Sequence, residues 1–228
     1  MTLPLVLLPG MMCDARLFAP QIAALSAGRT VICADIIGAS DMNDIAHQVL
    51  ADAPPSFALA GLSMGGIVAM EILRIAPTRV ARLALMDTNP LAEDQAVKDG
   101  RSPQMEQAKA GDLDRLMTTT FIPRYLHQPD ATIIDTCLDM ALALGPDVFC
   151  RQSIALRDRP DQTETLRQSD VPTLILHGEH DQLCPPARHD LMHQLMPHAS
   201  HVVIKDAGHL PTLEQPETTT QAFRSWLD

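Results

Sequence analysis

The segment Phe57-Ala58-Leu59-Ala60-Gly61-Leu62-Ser63-Met64-Gly65-Gly66-Ile67-Val68-Ala69-Met70 fixes the architecture. Phe57 to Leu62 is a short apolar run of the kind that forms a strand buried on both faces. From Gly65 to Ile75 apolar residues recur at helical spacing, and Pro77 follows the expected helix end. Gly61-Leu62-Ser63-Met64-Gly65 therefore reads as a tight strand-to-helix turn with a serine at its apex. Such a turn projects the hydroxyl beyond the sheet, while glycines leave room for strained backbone and close helix packing. The helix N-terminus also favours developing negative charge. As bare letters, G-x-S-x-G is a chance glycine-rich turn; the strand before it and the helix after it give Ser63 a chemical reading.

On either side of this turn, short strands alternate with amphipathic helices. Strands are expected at Leu3–Leu8, ended by Pro9-Gly10, and at Thr30–Ala34, Leu83–Met86, Thr173–Leu176 and His201–Ile204. Helices are expected around Leu17–Leu25 and at Asp44–Leu50, Ala187–Met196 and Thr218–Leu227. Repeated β-α-β order implies an α/β fold: a doubly wound, mainly parallel sheet of about six strands with helices on both faces. Leu91 to Arg167 carries no convincing strand, and so long a structureless loop does not suit a compact domain. It is expected to be a helical lid insertion, with helices at Pro103–Ala110, Leu113–Phe121, Ala131–Leu144 and Val148–Leu156. The core is then 1–90 and 168–228, and the lid 91–167. If that lid roofs a pocket, Met140 and Phe149 are candidates to tune it.

Composition narrows the function. Seventeen Lys+Arg stand against 28 Asp+Glu, a formal charge of -11. With no basic run, binding to nucleic acid or to an anionic membrane is not expected. No apolar stretch reaches the roughly 20 residues needed to cross a bilayer, and Met1 to Cys13 lacks the cationic start of a signal peptide. Five separated cysteines without C-x-x-C suggest reduced thiols and a cytoplasmic protein. Metal and cofactor are not expected. His189 and His193 have helical i, i+4 spacing, but the residue between them is Asp190 and no third ligand follows at a recognisable distance. The glycines match neither a dinucleotide loop nor a phosphate-binding loop.

A serine hydroxyl needs a base that is neutral near pH 7, and histidine supplies it. Nine histidines compete. His209 follows Gly208 just past the last expected strand, on the side where Ser63 should lie. His47, His127, His189, His193, His198 and His201 read as surface residues. A buried carboxylate must orient the base, and both Asp181 and Asp87 stand at expected strand ends.

Leu7-Leu8-Pro9-Gly10-Met11-Met12, Gly61-Leu62-Ser63-Met64-Gly65-Gly66, His177-Gly178-Glu179-His180-Asp181 and Ala207-Gly208-His209 together resemble the α/β-hydrolase superfamily. The likeness is to its small, lidded bacterial esterase-like members and covers nearly the whole chain. It implies the order Ser63, Asp181, His209 and selects Asp181 over Asp87. It also implies an oxyanion hole from the backbone N–H groups of Met11 and Met64, with Met12 a candidate for the substrate pocket. Two departures stand out. The chain begins at the strand that carries the oxyanion loop, so a six-stranded core is expected, and Pro9 stands where many relatives have histidine.

The activity implied is serine hydrolysis of a small carboxylic ester through an acyl-enzyme. The same three residues could serve a thioesterase, a C–C bond hydrolase, a lyase or a cofactor-free perhydrolase. In the C–C hydrolase or lyase case Arg124, Arg151, Arg157 or Arg159 could grip a substrate carboxylate. A non-catalytic ligand receptor is the reading from another class. The expected partner is a small ester or thioester.

Overall fold

The computed structural model describes residues 2–228. Six strands, β1 (Leu5–Leu8), β2 (Val31–Cys33), β3 (Phe57–Leu62), β4 (Val80–Met86), β5 (Thr173–Gly178) and β6 (Ser200–Ile204), form one sheet in the order β2-β1-β3-β4-β5-β6. Every neighbouring pair is parallel. The chain winds outward in both directions from β1 and β3, so their C-terminal ends border the crevice where parallel sheets place ligands.

Alternation along the strands sorts the core into two layers. Leu5, Leu7, Ala58, Ala60, Leu62, Met86 and Leu176 face a cluster that includes Phe18 just before α1 (Ala19–Leu25), Leu25 at its end, and Phe223 and Trp226 on α10 (Pro216–Leu227). Val6, Leu8, Leu59, Leu83, Leu85 and Ile175 face the opposite layer, built on α2 (Met42–Asp52), α3 (Met64–Ile75) and α8 (Pro186–Leu195). Helices thus cover both faces, as the strand-helix alternation requires. The N-cap of α2 is Asp41, whose carboxylate accepts the N–H groups of Asn43 and Asp44.

Between β4 and β5 the chain is helical throughout its regular parts: α4 (Gln95–Gln107), α5 (Leu113–Leu116), α6 (Ala131–Arg157) and α7 (Thr163–Arg167). The helix expected at Pro103–Ala110 begins earlier, because Pro103 sits inside α4 rather than at its start. The two helices expected at Ala131–Leu144 and Val148–Leu156 run into one another as α6. They are separated by Gly145 (φ 79°, ψ 174°) followed by Pro146, which breaks the helical geometry at the expected place. The short α9 (Pro211–Glu214) follows β6, and sequence periodicity cannot register an element of that length. Among the described residues, no helix is long and apolar enough to cross a membrane.

Candidate active site

Ser63 sits between the last residue of β3 and the first of α3, at φ 55° and ψ -116°. A non-glycine residue in this sparsely populated region costs on the order of 1–3 kcal/mol, so the surroundings must over-determine it. They do so with four hydrogen bonds. Ser63 N donates to Met86 O on β4 at 2.9 Å. Its carbonyl accepts from Gly66 N at 3.0 Å, Ile67 N at 3.2 Å and Thr88 Oγ1 at 2.7 Å. The turn also depends on glycine at position 65. A Cβ there would lie 2.0 Å from the Leu8 carbonyl oxygen, so α3 can approach β1 only without a side chain.

The loop after β1 lies against this turn. A Cβ on Gly10 would be 3.5 Å from Ser63 Cβ, in ordinary contact. Met12 takes a positive φ of 57°, and its N–H donates to Oε1 of the buried Gln152 on α6 at 2.9 Å. Gln152 Nε2 reaches Ile36 O at 3.3 Å. Neither Met11 N nor Met64 N donates to an acceptor among the described residues, so both remain free for a ligand atom. The side chain expected in the pocket is displaced by one position. Met12 is 1% exposed and packed in the core, because the positive-φ turn directs it inward, and Met11 is the residue on the cavity wall.

His209 is buried, and its Nδ1 lies 2.9 and 3.0 Å from the two carboxylate oxygens of Asp181. Asp181 Oδ1 also accepts Leu183 N at 2.8 Å and Cys184 N at 3.0 Å. Burial pushes the Asp181 carboxyl up. The neighbouring His209, by charge and hydrogen bond, and the two backbone amides outweigh it, and the group is held below its ordinary value. With Nδ1–H donating to the carboxylate, Nε2 is the ring nitrogen left to act as an acceptor. Ser63 and His209 line that same cavity, which measures about 430 Å³. No hydrogen bond yet joins Ser63 Oγ to His209; such contacts are often long before substrate arrives.

Asp87, the other candidate acid, makes no hydrogen bond to His209. It is fully buried at φ 44°, and its Oδ1 accepts Gly178 N at 2.9 Å while Oδ2 has no partner among the described residues. Burial first, and the charge of nearby Asp181 second, raise its pKa well above the carboxylate range. Of these two adjacent acids, the charged form is favoured on Asp181, which holds the histidine, and disfavoured on Asp87. Cys184 also borders the cavity. Burial, reinforced by the charge of Asp181, raises its thiol, which disfavours the reactive thiolate.

Three supports were not legible in the sequence. The Glu214 carboxylate on α9 accepts Gly208 N at 2.8 Å and Leu210 N at 3.1 Å, gripping His209 from both sides. Its other oxygen accepts His127 N at 2.7 Å, and His209 N donates to Tyr125 O at 2.7 Å. Gly208 lies so close beneath this strand of backbone that a Cβ would stand 2.7 Å from Tyr125 O. The third support is Gln152. A sequence signal existed only for Glu214, as an acid a few residues past a Gly-His pair.

The histidine reading needs one correction. His189, expected at the surface, is fully buried; its Nε2 accepts Thr88 N at 3.2 Å and its ring stacks on His177 at 4.3 Å. Burial, then the neighbouring His177, lowers its pKa to about 3, so it is a neutral brace beneath the serine turn. Its helical spacing to His193 reflects the inward face of α8. Two other groups of donors do converge. His127, His180 and Asp206 gather at the surface with the two rings stacked at 3.7 Å, and Asp181, Cys184 and His209 gather in the site, where His209 Nδ1 is already bonded to Asp181.

The helices between β4 and β5 contribute Val97, Gln104, Thr120, Phe121 and Leu156 to the cavity. Met140 and Phe149, expected to tune it, are instead fully buried in the core, with Phe149 packed edge-on behind Phe121 at 5.7 Å. Of the four arginines singled out, Arg124 and Arg159 line the cavity. Arg151 instead donates to Ile37 O, and Arg157 pairs with Asp158 at the surface.

The model of the family described as "Alpha/beta hydrolase family" matches residues 5–222. A pimeloyl-[acyl-carrier protein] methyl ester esterase of Aliivibrio salmonicida (strain LFI1238) is 26% identical over 230 residues, covering 93% of this chain and 87% of that protein. Among solved structures, a thermophilic esterase from Thermogutta terrifontis, malate bound, is 30% identical with a TM-score of 0.92, covering 100% of this chain and 90% of that one. The enol-lactonase from Burkholderia xenovorans LB400 shares the fold at a TM-score of 0.89 and 21% identity, over 100% of this chain and 92% of that one.

Proposed function

Because the chain belongs to the alpha/beta hydrolase family, we propose that it is a serine hydrolase that cleaves a small carboxylic ester through an acyl-enzyme. The observation that carries this reading is the Asp181–His209 pair, bonded at 2.9 Å and sharing a cavity with a serine held at a strained strand-to-helix turn. The relatives described as esterases favour an ester over the other substrates such a site could take.

Ser63 Oγ attacks the ester carbonyl and its proton passes to His209 Nε2. Asp181 holds the ring in the required tautomer and stabilises the imidazolium. The carbonyl oxygen becomes an oxyanion that accepts the free N–H groups of Met11 and Met64, each worth on the order of 3 kcal/mol in the transition state. Collapse breaks the ester C–O bond, and the leaving alkoxide takes the proton from His209. Water then attacks the acyl-enzyme, gives its proton to His209, and the second collapse releases the acid and returns the proton to Ser63. Residues 91–167 act as a lid over a core made of 1–90 and 168–228, shaping the pocket with Phe121, Thr120 and Val97.

A panel of p-nitrophenyl esters and acyl-CoA thioesters, run on the wild type and on Ser63→Ala, tests this. Ester turnover that disappears in Ser63→Ala is expected. A preference for thioesters would move the reading to a thioesterase, and no turnover of either class would contradict it.

A further inference from the structure

The cavity that holds Ser63 and His209 carries a charge opposite to that of the protein. The chain has a formal charge of -11, yet the cavity wall contains Arg101, Arg124, Arg159 and Arg188 against only Glu93 and Asp94. Arg188 and Asp94 form an exposed pair at 3.2 Å, and Arg124 is exposed. The uncommon part is deeper. Glu93, Arg101 and Arg159 have side chains only 2%, 8% and 8% exposed.

Arg101 donates Nε and Nη2 to the two oxygens of Glu93 at 2.8 and 2.6 Å, a forked pair. Arg159 Nη1 reaches the same Glu93 Oε1 at 2.6 Å. One carboxylate thus serves two guanidinium groups, which neither lose their protons nor easily remain unmatched away from water. Burial draws the Glu93 carboxyl upward, but both arginines outweigh it and keep the group ionised, so the cluster retains one net positive charge.

Bracing explains part of this arrangement. Arg159 Nε donates to Leu91 O at 3.0 Å and its Nη1 to Leu156 O at 3.2 Å, which ties the loop after β4 to the end of α6. Bracing leaves two nitrogens over. Arg159 Nη2 makes no hydrogen bond among the described residues, and Arg101 Nη1 has only the thioether sulfur of Met11 at 3.7 Å, a weak acceptor. Both arginines line the cavity, as does Met11, whose N–H makes no hydrogen bond among the described residues. Unspent donors and an unmatched charge in a largely buried wall make a place for an anion.

We propose that Arg101 and Arg159, gathered on Glu93, form a carboxylate subsite in the substrate cavity, and that the ester taken by this enzyme bears a second, ionised carboxylate. The inference rests on the ester-hydrolase reading for its reaction and on the arginine cluster alone for its binding. Neutral esters of equal length fill the same apolar walls but leave the positive charge unmatched. One charge-assisted contact is worth about 1.5–3 kcal/mol, equivalent to a preference of roughly ten- to hundredfold.

The test has a kinetic arm and a binding arm. Monomethyl succinate, adipate and suberate are compared with methyl butyrate, hexanoate and octanoate for a carboxylate on the acyl side. The hexanoyl ester of glycolate is compared with ethyl hexanoate for one on the alcohol side. In at least one comparison the acidic ester is expected to have the larger kcat/KM by about tenfold or more. Arg101→Gln and Arg159→Gln should each lower that ratio by about tenfold or more, whereas Arg157→Gln, at the surface, should not move it. Glu93→Gln removes the competing anion and should raise the ratio, an outcome that loss of a simple brace does not produce. In the binding arm, calorimetry with succinate, adipate and suberate on the wild type and Ser63→Ala should show binding that Arg101→Gln weakens. Neutral esters preferred throughout, or diacid binding indifferent to both arginine variants, would overturn the subsite. Diacid binding that depends on Arg101, in a protein that hydrolyses no ester, would uphold the subsite and bring down only the ester-hydrolase reading.

Discussion

The sheet ends and the helical segment between β4 and β5 are built to different standards. At the sheet ends each working residue is held from several sides. Ser63 has four backbone hydrogen bonds, Asp181 accepts two amides as well as the histidine, and Glu214 grips the residues on both sides of His209. The helical segment is regular only in pieces. Pro103 sits inside α4, Ala108–Asp112 and Met117–Phe121 are wide helical turns, Gly111 has φ 91°, and Gly145 with Pro146 breaks α6. Wide turns and glycine breaks let a helix bend around a cavity, at the cost of local helix stability. On the proposed function, this chain fixes its reacting atoms at the sheet ends and takes part of its pocket wall from the helical segment between β4 and β5. The two regions nevertheless meet at the cavity, where Gln152 accepts Met12 N from the loop after β1, Tyr125 O accepts His209 N and His127 N donates to Glu214.

The sharpest way to break this contrast is at the two acids of the sheet. Asp181→Asn should lower kcat by about 10⁴-fold, through lost charge and the wrong histidine tautomer. Asp87→Asn should cost about tenfold or less, because burial and Asp181 disfavour the charged form of Asp87 and it does not touch His209. A crippled Asp87→Asn beside an active Asp181→Asn would reassign the acid. Next in size is the insertion's support of the sheet. Gln152→Leu leaves Met12 N and Ile36 O without their partner, and kcat should fall by roughly ten- to hundredfold with little change in KM. A change confined to KM would mean that Gln152 shapes the pocket and does not hold the oxyanion loop.

Much of the sheet region could be read from the sequence because its signals are local. A strand, a glycine-flanked serine and a helix follow one another within a few residues, so Ser63 needs no knowledge of distant contacts. His209 and Asp181 have weaker local signals, each a polar residue in a glycine turn after a strand, and resemblance had to choose Asp181 over Asp87. The insertion was legible only in outline. Helical periodicity shows that Ala131–Leu156 is helical and where it breaks, but not which of its apolar residues meet the cavity. Met140 and Phe149 face the core, and Phe121 reaches the pocket from a wide turn that no regular period describes. Burial of His189 was hidden for the same reason: which face of α8 turns inward is set by the sheet, not by the residues next to it in the chain.

Two smaller effects separate the helical segment from the sheet. Phe121→Ala enlarges the pocket from the insertion side, and preference should shift toward longer acyl chains by about tenfold in relative kcat/KM; an unchanged profile would deny the insertion its role in selection. The sheet side has its own signature in stability. His189 stays neutral in the fold, with a pKa lowered to about 3, while the unfolded chain titrates near the ordinary value of about 6.5. Its contribution is therefore complete above about pH 6.5 and is lost progressively as pH falls toward 3. Urea unfolding at pH 7 and pH 4.5 should show the wild type losing about 2–3 kcal/mol more than His189→Gln between those conditions. Equal losses would show that the histidine is free to take up its proton in the fold.

On the proposed function, Ser63, made reactive by His209 at the sheet ends, is the nucleophile. The most direct measurement is labelling with a fluorophosphonate probe followed by mass-spectrometric mapping of the adduct. The probe is expected on the peptide that carries Ser63, with labelling lost in both Ser63→Ala and His209→Ala while both variants remain folded. Labelling that persists in Ser63→Ala, or that maps to another residue, would contradict the account.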